Sequence, residues 1–535
     1  MLYIIITWIA FAAYIFAAWF CLRHFIHMFQ LNSYKPRVQA KWVIKNSRRF
    51  IGVTAALLIV FAVFSAVAAA YESAAACIAV TVCSALCFAA SALFMLPKKS
   101  YKTPLKYTKR VARLILTLAI IYLIPAVAMF ISAWDVRVRS AVAICACFLW
   151  VFSAPWMVLL ANMINRPLEL LINRYYINDA KKILKNCPSL TVIGITGSFG
   201  KTSVKYFLDA LLSVKYSVLK TPGNFNTPLG VVKTVRGSLR ATHEIFLCEM
   251  GAKNVGDIKE ICDIVHPRHG IITSVGPMHL ESFKTIENVK KTKFELADAL
   301  PDDGMLFLNC DDENIRSVIS SSGRKFTAYG IDDKRGYYAD DIRISERGSE
   351  FTIHSPSAQS CSYRTSLIGR HNIINICGAI AVANSLGISL EELRPAVRRL
   401  ESVPHRLQLI NRGDYSIIDD AYNSNPSGTK AALEALSMAD GMKILVTPGM
   451  IELGGMEYEL NRQFGYDASK VCDYVALVGE KQTKPILDGL LSAGYDREKI
   501  YVAKDLGDAM SAVYSLTSGG KRKIILLEND LPDNY

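Results

Sequence analysis

The stretch Thr191-Val-Ile-Gly-Ile-Thr-Gly-Ser-Phe-Gly-Lys-Thr-Ser203 decides how the rest of the chain is read. Its first six residues form a short apolar, β-rich run. A glycine-punctuated turn and the pair Lys201-Thr202 follow. Apolar residues then recur at helical spacing, at Val204, Phe207, Leu208, Leu211 and Leu212. Strand, glycine turn, Lys-Thr and helix together are the context of a phosphate loop (P-loop). Glycines let backbone N–H groups turn toward phosphates, and the helix start adds the positive end of its dipole. Gly197, Ser198, Gly200, Lys201, Thr202 and Ser203 are the expected ATP contacts of this turn. Lys201 would neutralise the β- and γ-phosphates, and the Thr202 hydroxyl would hold Mg2+. Ile195 stands where the GxxxxGK[ST] pattern has its first glycine.

Outward from this loop the chain divides by composition. With 535 residues, 51% of them hydrophobic, it is long enough for three or four domains. The net charge of +14 invites a nucleic-acid reading. Residues 1–166, however, hold 17 Lys and Arg against two acids, Glu72 and Asp135, while the remainder carries a net −1. The ATP-loop half therefore has no basic excess with which to neutralise a nucleic-acid backbone. Thirteen cysteines are scattered without any CxxC pair, which argues against a disulfide framework or a structural zinc site.

The apolar excess sits in residues 1–163. Five runs, at 2–22, 51–70, 75–96, 114–133 and 141–163, approach the roughly 20 residues that cross a bilayer as a helix. Basic residues collect at 22–50 (Arg23, Lys35, Arg37, Lys41, Lys45, Arg48, Arg49) and at 97–113, the pattern of cytoplasmic loops. These signals predict an α-helical multi-pass region of the cell membrane, in contact with the lipid bilayer. The N-terminus would lie outside and everything after residue 164 in the cytoplasm. No charge falls in the middle of a run, so a transporter is disfavoured. Residues 164–187 read as a linker, 188–400 as a central α/β P-loop domain and 401–535 as a second α/β domain. In the last, apolar runs at 415–418, 443–447, 473–478, 499–503 and 522–527 alternate with helix-like segments, which is Rossmann-like without any GxGxxG. The polar region 331–366 reads as a small β insertion.

A series of short motifs extends the ATP loop. In order they are Thr221-Pro-Gly-Asn-Phe-Asn-Thr-Pro-Leu-Gly230, Cys248-Glu-Met-Gly-Ala252, His279-Leu-Glu281, Lys293-Phe-Glu295, Leu308-Asn-Cys-Asp-Asp312, Gly369-Arg-His-Asn372, Pro404-His-Arg406 and Asp419-Asp-Ala-Tyr-Asn-Ser-Asn-Pro426. With the ATP loop, this order resembles the Mur ligase family of bacterial cell-wall synthesis over roughly 188–535. The Asp419–Pro426 segment is nearest to its D-alanyl-D-alanine-adding branch. Two features depart from the family. The domain that holds the UDP part of the precursor is replaced by the apolar region, and the tail Leu527-Glu-Asn-Asp-Leu-Pro-Asp533 is not basic.

The resemblance implies an ATP-dependent peptide ligase acting on a peptidoglycan precursor. ATP would phosphorylate a carboxylate, and an amino acid or dipeptide would attack the acyl phosphate. It implies Glu249 and Thr202 as ligands of a first Mg2+, His279 at a second ion, and a carbamate on Lys293 supplying further anionic oxygens. Asn309 would contact adenine and Asn372 the nucleotide. Arg406 would reach the γ-phosphate, and Asp420 or its neighbour Asp419 the ribose. Lys201, Lys293, His279 and Arg406 are the expected catalytic set. The alternatives are a Mur-like ligase for another or lipid-linked acceptor, and a membrane scaffold that keeps the ATP-binding fold without catalysis. Other cell-wall enzymes are candidate partners.

Overall fold

A computed structural model describes residues 2–46, 103–132, 136–319, 325–345, 348–421 and 424–530. The chain separates into two compact units, Met1–Arg174 with Pro532–Tyr535, and Tyr175–Leu531.

The first unit is helical, with helices Leu2–Leu31, Lys109–Ser132 and Val136–Lys185, the last belonging to this unit up to Arg174. Here the sequence reading is corrected. Among the described residues no helix is long and apolar enough to cross a membrane. The expected membrane region is therefore not found, and the multi-pass placement and the bilayer as partner go with it. The expected spans 51–70 and 75–96 lie outside the described residues. Packing explains why hydropathy misled. Cys21, Phe25, Ile26 and Phe29 are buried in one cluster with Val111, Leu114, Leu118, Ala154, Val158 and Ala161. An apolar helix that buries its side chains against other helices reads like a span when only run length is counted. Polar links join the same helices: Arg113 pairs with Glu169 at 2.7 Å, and Thr117 donates to Asn165 at 2.9 Å. The segment 164–187 is helical through Lys185.

The second unit is built on two sheets. The first takes strands β1 (Thr191–Thr196), β2 (Val218–Lys220), β3 (Ile245–Glu249), β4 (His269–Ile272), β5 (Leu306–Asn309), β6 (Thr327–Gly330), β7 (Tyr337–Ser345), β8 (Gly348–His354) and β9 (Ser360–Thr365). Their order is β2-β3-β1-β4-β5-β6-β7-β8-β9, parallel from β2 to β7 and antiparallel from β7 to β9. Near-continuous apolar burial along β1, β3 and β4 is what a parallel sheet covered on both faces requires. One face packs on helices Lys201–Leu212, Arg370–Ser385 and Leu390–Arg398, the other on Pro228–Ser238, Asp257–Val265 and Ile286–Asp298. The polar region at 331–366 becomes β7–β9, whose alternating burial leaves one face wet.

The second sheet takes β10 (Gln408–Arg412), β11 (Tyr415–Asp420), β12 (Met442–Thr447), β13 (Tyr474–Val478), β14 (Ile500–Ala503) and β15 (Lys523–Glu528). Its order is β10-β11-β15-β12-β13-β14, parallel except at β10. The five apolar runs read from the sequence are β11 to β15. The sixth strand, β10, escaped that reading because its residues are half-exposed at the edge.

Candidate active site

In the first sheet, connections leave β1 toward β3 and β2, then return to its other side at β4. Ligand sites form beyond the carboxyl ends of strands at such a reversal. The phosphate loop follows β1 there. Gly200 precedes the helix Lys201–Leu212 with φ +79°, and a Cβ on it would lie 2.7 Å from Asn375 Oδ1. Gly197, at φ +153°, leaves no room either, since a Cβ would stand 2.1 Å from Thr273 Oγ1. Ser198 fastens the turn from below: its hydroxyl donates to the Gly276 carbonyl at 3.1 Å and accepts from the Gly276 N–H at 3.0 Å. The Phe199 N–H donates to Ser274 Oγ at 2.8 Å.

Lys201 folds back over the turn, donating to the carbonyls of Gly197 at 2.6 Å and Ser198 at 3.0 Å. Burial pushes its ammonium down to about 8; Glu249 opposes this and Arg406, from the segment leading into the second sheet, adds to it. Thr202 Oγ1 donates to Glu249 Oε1 at 3.1 Å, so the two expected metal ligands share one spot. Glu249 ends β3, nearly inaccessible to solvent. Burial alone would raise its carboxyl, but Lys205 and Lys201 outweigh it and hold the group below the usual range. Ser203 takes the next helical position, half-buried.

His279 and Lys293 complete the expected ion-binding set. His279 sits at φ +52° before the short helix Leu280–Phe283, and its Nδ1 is bonded to Glu452. Burial drives the imidazole below its ordinary value, against the pull of Glu452. Lys293 is buried on the helix Ile286–Asp298. Burial first, then Lys201, lowers its ammonium well below the ordinary range, while Asp257 and Glu295 resist. Among the described residues no group of three or more His, Cys, Asp or Glu is placed to hold a metal ion by itself. The Thr202–Glu249 oxygen pair fits the way Mg2+ commonly sits, on one or two protein oxygens with phosphate and water completing its shell.

The expected nucleotide contacts are each tied to a backbone group. Asn309 ends β5 and donates to the Thr273 carbonyl at 3.0 Å, which ties adjacent strand ends together. Asn372 opens the helix Arg370–Ser385 and donates to the Ile368 carbonyl at 2.9 Å. Asp420 ends β11 and accepts from the Leu407 N–H at 3.2 Å. Burial lifts its carboxyl to about 7, with Arg406 working the other way. Asp419 pairs instead with His405 at 2.8 Å.

Four residues not singled out from the sequence belong to this arrangement. Lys205 lies one helical turn beyond Lys201 with no exposed surface. It pairs with Glu249 Oε2 at 2.8 Å and donates to the Gly223 carbonyl at 2.6 Å. Asn226 donates to Glu249 Oε1 at 3.2 Å. Glu452 comes from the loop after β12. Glu528, the end of β15, is fully buried and takes hydrogen bonds from Ser424 and, at 3.2 Å, from Thr447. Burial raises its carboxyl to about 8. A signal for Lys205 was present: it follows Lys201 by four positions, on the face that carries Leu208 and Leu212.

Known proteins carry the same parts. Residues 195–383 match the Mur ligase middle domain, and residues 405–527 the Mur ligase glutamate ligase domain. The chain is 29% identical over 386 residues to the UDP-N-acetylmuramoyl-tripeptide--D-alanyl-D-alanine ligase of Escherichia coli (strain K12), covering 69% of this chain and 80% of that one. To the enzyme of the same name from Bacillus subtilis (strain 168) it is 33% identical over 277 residues, 51% of this chain and 59% of the relative. The crystal structure of MurF ligase from Thermotoga maritima in complex with ADP superposes with a TM-score of 0.59 at 26% identity, over 67% of this chain and 80% of that chain. The aligned part thus spans between 59% and 80% of the length of these proteins. With both domains present in sequence and the superposition spanning 67% of the chain, the chain belongs to the Mur ligase family of ATP-dependent ligases.

Proposed function

We propose that the chain ligates a D-alanyl-D-alanine-type dipeptide to the peptide carboxylate of a peptidoglycan precursor, at the expense of ATP. The observation that carries this reading is the meeting of Thr202 and Glu249 at 3.1 Å beside Lys201, at the carboxyl edge of the parallel sheet. The relatives named as D-alanyl-D-alanine ligases supply the substrate class.

The chemistry joins a carboxylate and an amine, which in water exchange a proton to form a salt rather than an amide. A carboxylate oxygen attacks the γ-phosphorus and ADP leaves. The amine nitrogen then attacks the acyl carbon, the C–O bond to phosphate breaks, and the amine proton passes to solvent. The first step crowds anions, so the chain supplies cations. Lys201 neutralises phosphate oxygens once it releases the Gly197 and Ser198 carbonyls. Arg406 adds a second positive charge from the other domain. Thr202 and Glu249 would hold Mg2+, which would supply charge neutralisation to the phosphates. Asn309, Asn372 and Asp420 would place the nucleoside, with the Asp420 carboxyl at the ribose hydroxyls. Lys293 makes no hydrogen bond or ion pair among the described residues. Burial lowers the Lys293 ammonium well below its ordinary range, which would favour the amine form that adds CO2 with loss of a proton to give a carbamate.

The test is ATP turnover by the purified chain with UDP-N-acetylmuramoyl-tripeptide and D-alanyl-D-alanine, each omitted in turn. Phosphate release that needs both supports the reading. Release indifferent to the dipeptide removes it.

A further inference from the structure

Three parallel strands of the second sheet end side by side, β11 at Asp420, β15 at Glu528 and β12 at Thr447. Asp420 and Glu528 are direct register partners. The chain passes from β11 to β12, runs outward through β13 and β14, and returns to place β15 between the first two. Such a reversal gives the second sheet a ligand crevice of its own beyond its carboxyl edge.

Glu528 and Asn529 grip both sides of that crevice. Glu528, with no exposed surface, takes hydrogen bonds from Ser424 Oγ after β11 and from Thr447 Oγ1 at 3.2 Å. Thr447 Oγ1 accepts in turn from the Gly449 N–H at 3.0 Å. Asn529, at φ +67°, accepts from the Ser424 N–H at 3.3 Å and donates to the Gly449 carbonyl at 2.6 Å. Asn461 holds both backbone groups of Met450, at 2.8 and 2.9 Å. Ser424, Gly449 and Met450 all follow strand ends, so the grip orders the rim of the crevice more than the sheet itself.

The ligation brings three components together, and the edge of the first sheet receives the ATP phosphates. We infer that Glu528 is a positioning residue, holding Ser424 and Gly449 as opposite walls of a pocket for the attacking dipeptide. This inference rests on the ligase reading above. Burial raises the Glu528 carboxyl to about 8; Asp420 beside it adds to this, and the Ser424 and Thr447 hydroxyls oppose it. Arg406 and Asp419 act on Asp420 in their turn. Below that pH the protonated carboxyl offers one oxygen that accepts and one that donates. Above it a buried carboxylate favours letting water in, which loosens the grip.

The test is steady-state kinetics on the full chain with precursor, ATP and D-alanyl-D-alanine, from pH 7 to pH 9. The proteins are wild type, Glu528→Gln, Glu528→Ala and Thr447→Val. Glu528→Ala loses two hydrogen bonds and should raise KM for the dipeptide by about 10- to 100-fold, with KM for ATP within about threefold of wild type. Thr447→Val loses one bond to Glu528 and should raise it by about three- to tenfold. Glu528→Gln reproduces the protonated form and should keep the dipeptide KM near wild type at pH 7. By pH 9 the wild-type KM should climb about tenfold relative to that of Glu528→Gln, since a group at about 8 is then about nine-tenths ionised. Ionisation of the dipeptide itself cancels in this ratio. An unchanged dipeptide KM in Glu528→Ala overturns the proposal. An equal rise in both KM values does the same, because it marks a merely structural role, and so does a ratio independent of pH. If Glu528→Ala does not fold, Thr447→Val and the pH dependence of the ratio decide. Wild-type turnover that needs no dipeptide defeats the ligase reading and this inference with it; dipeptide-dependent turnover with unmoved KM values defeats this inference alone.

Discussion

Lys205 and Glu249 form the most deeply buried ion pair at the site, with 0% and 1% of their side chains exposed and 2.8 Å between the charges. Replacing Lys205 by Met keeps the volume and removes the charge. At an effective dielectric near 20, two charges at this distance attract by about 6 kcal/mol, most of which offsets their desolvation. Removing one partner strands the other, at a cost of about 3–5 kcal/mol. Asn226 and Thr202 remain on Glu249, so the lower end of that range is expected. For a domain of this size each kcal/mol moves the melting temperature by about 2–4 °C. The calorimetric transition of the phosphate-loop domain in Lys205→Met should therefore fall by about 6–12 °C. The double variant Lys205→Met/Glu249→Gln should recover part of it, with a coupling of about 1–3 kcal/mol. Melting within 2 °C of wild type, or strictly additive single and double variants, would refute the reasoning.

Other consequences follow from the same geometry. Lys201→Ala should fold and bind the precursor, while kcat falls by about a hundred- to a thousandfold, the scale of one lost preorganised contact; unchanged turnover would remove Lys201 from the phosphates. Lys293→Ala should be nearly inactive and regain part of its rate with formate or acetate, and wild-type rate should rise with bicarbonate under CO2-depleted conditions. An active, bicarbonate-indifferent variant would exclude the carbamate. Glu528 titrates near 8 in the fold against about 4.5 when unfolded, so between those values the folded state holds the extra proton and stability falls as pH rises. Glu528→Gln should accordingly melt above wild type at pH 8 and close to it at pH 5, and a difference independent of pH would contradict this assignment.

Local signals were legible in the sequence wherever one segment carries both the geometry and the chemistry. The glycine turn at 197–200, the acid ending an apolar strand at Glu249, and five of the six strands of the second sheet are of this kind. What stayed hidden depends on contacts between distant segments. Lys205 stands on the apolar face with Leu208 and Leu212, yet its partner appears only when the Glu249 strand is laid beside it. Glu452 lies in a loop, and only docking on His279 gives it a role. Glu528 belongs to a tail read only as not basic, yet pairing of β15 with β11 and β12 buries it under Ser424 and Thr447. The N-terminal helices failed in the opposite way. Their apolar runs were plain to see, but run length does not distinguish a side chain facing lipid from one facing Phe25 or Leu114.

Transfer of a carboxylate oxygen to phosphate is the central claim. It is tested most directly by supplying a precursor whose peptide carboxylate is labelled with oxygen-18, together with ATP and D-alanyl-D-alanine. The account predicts that the phosphate released carries one labelled oxygen for each amide bond formed. Amide formation with unlabelled phosphate would contradict it, because the carboxylate oxygen would then never have been joined to phosphorus.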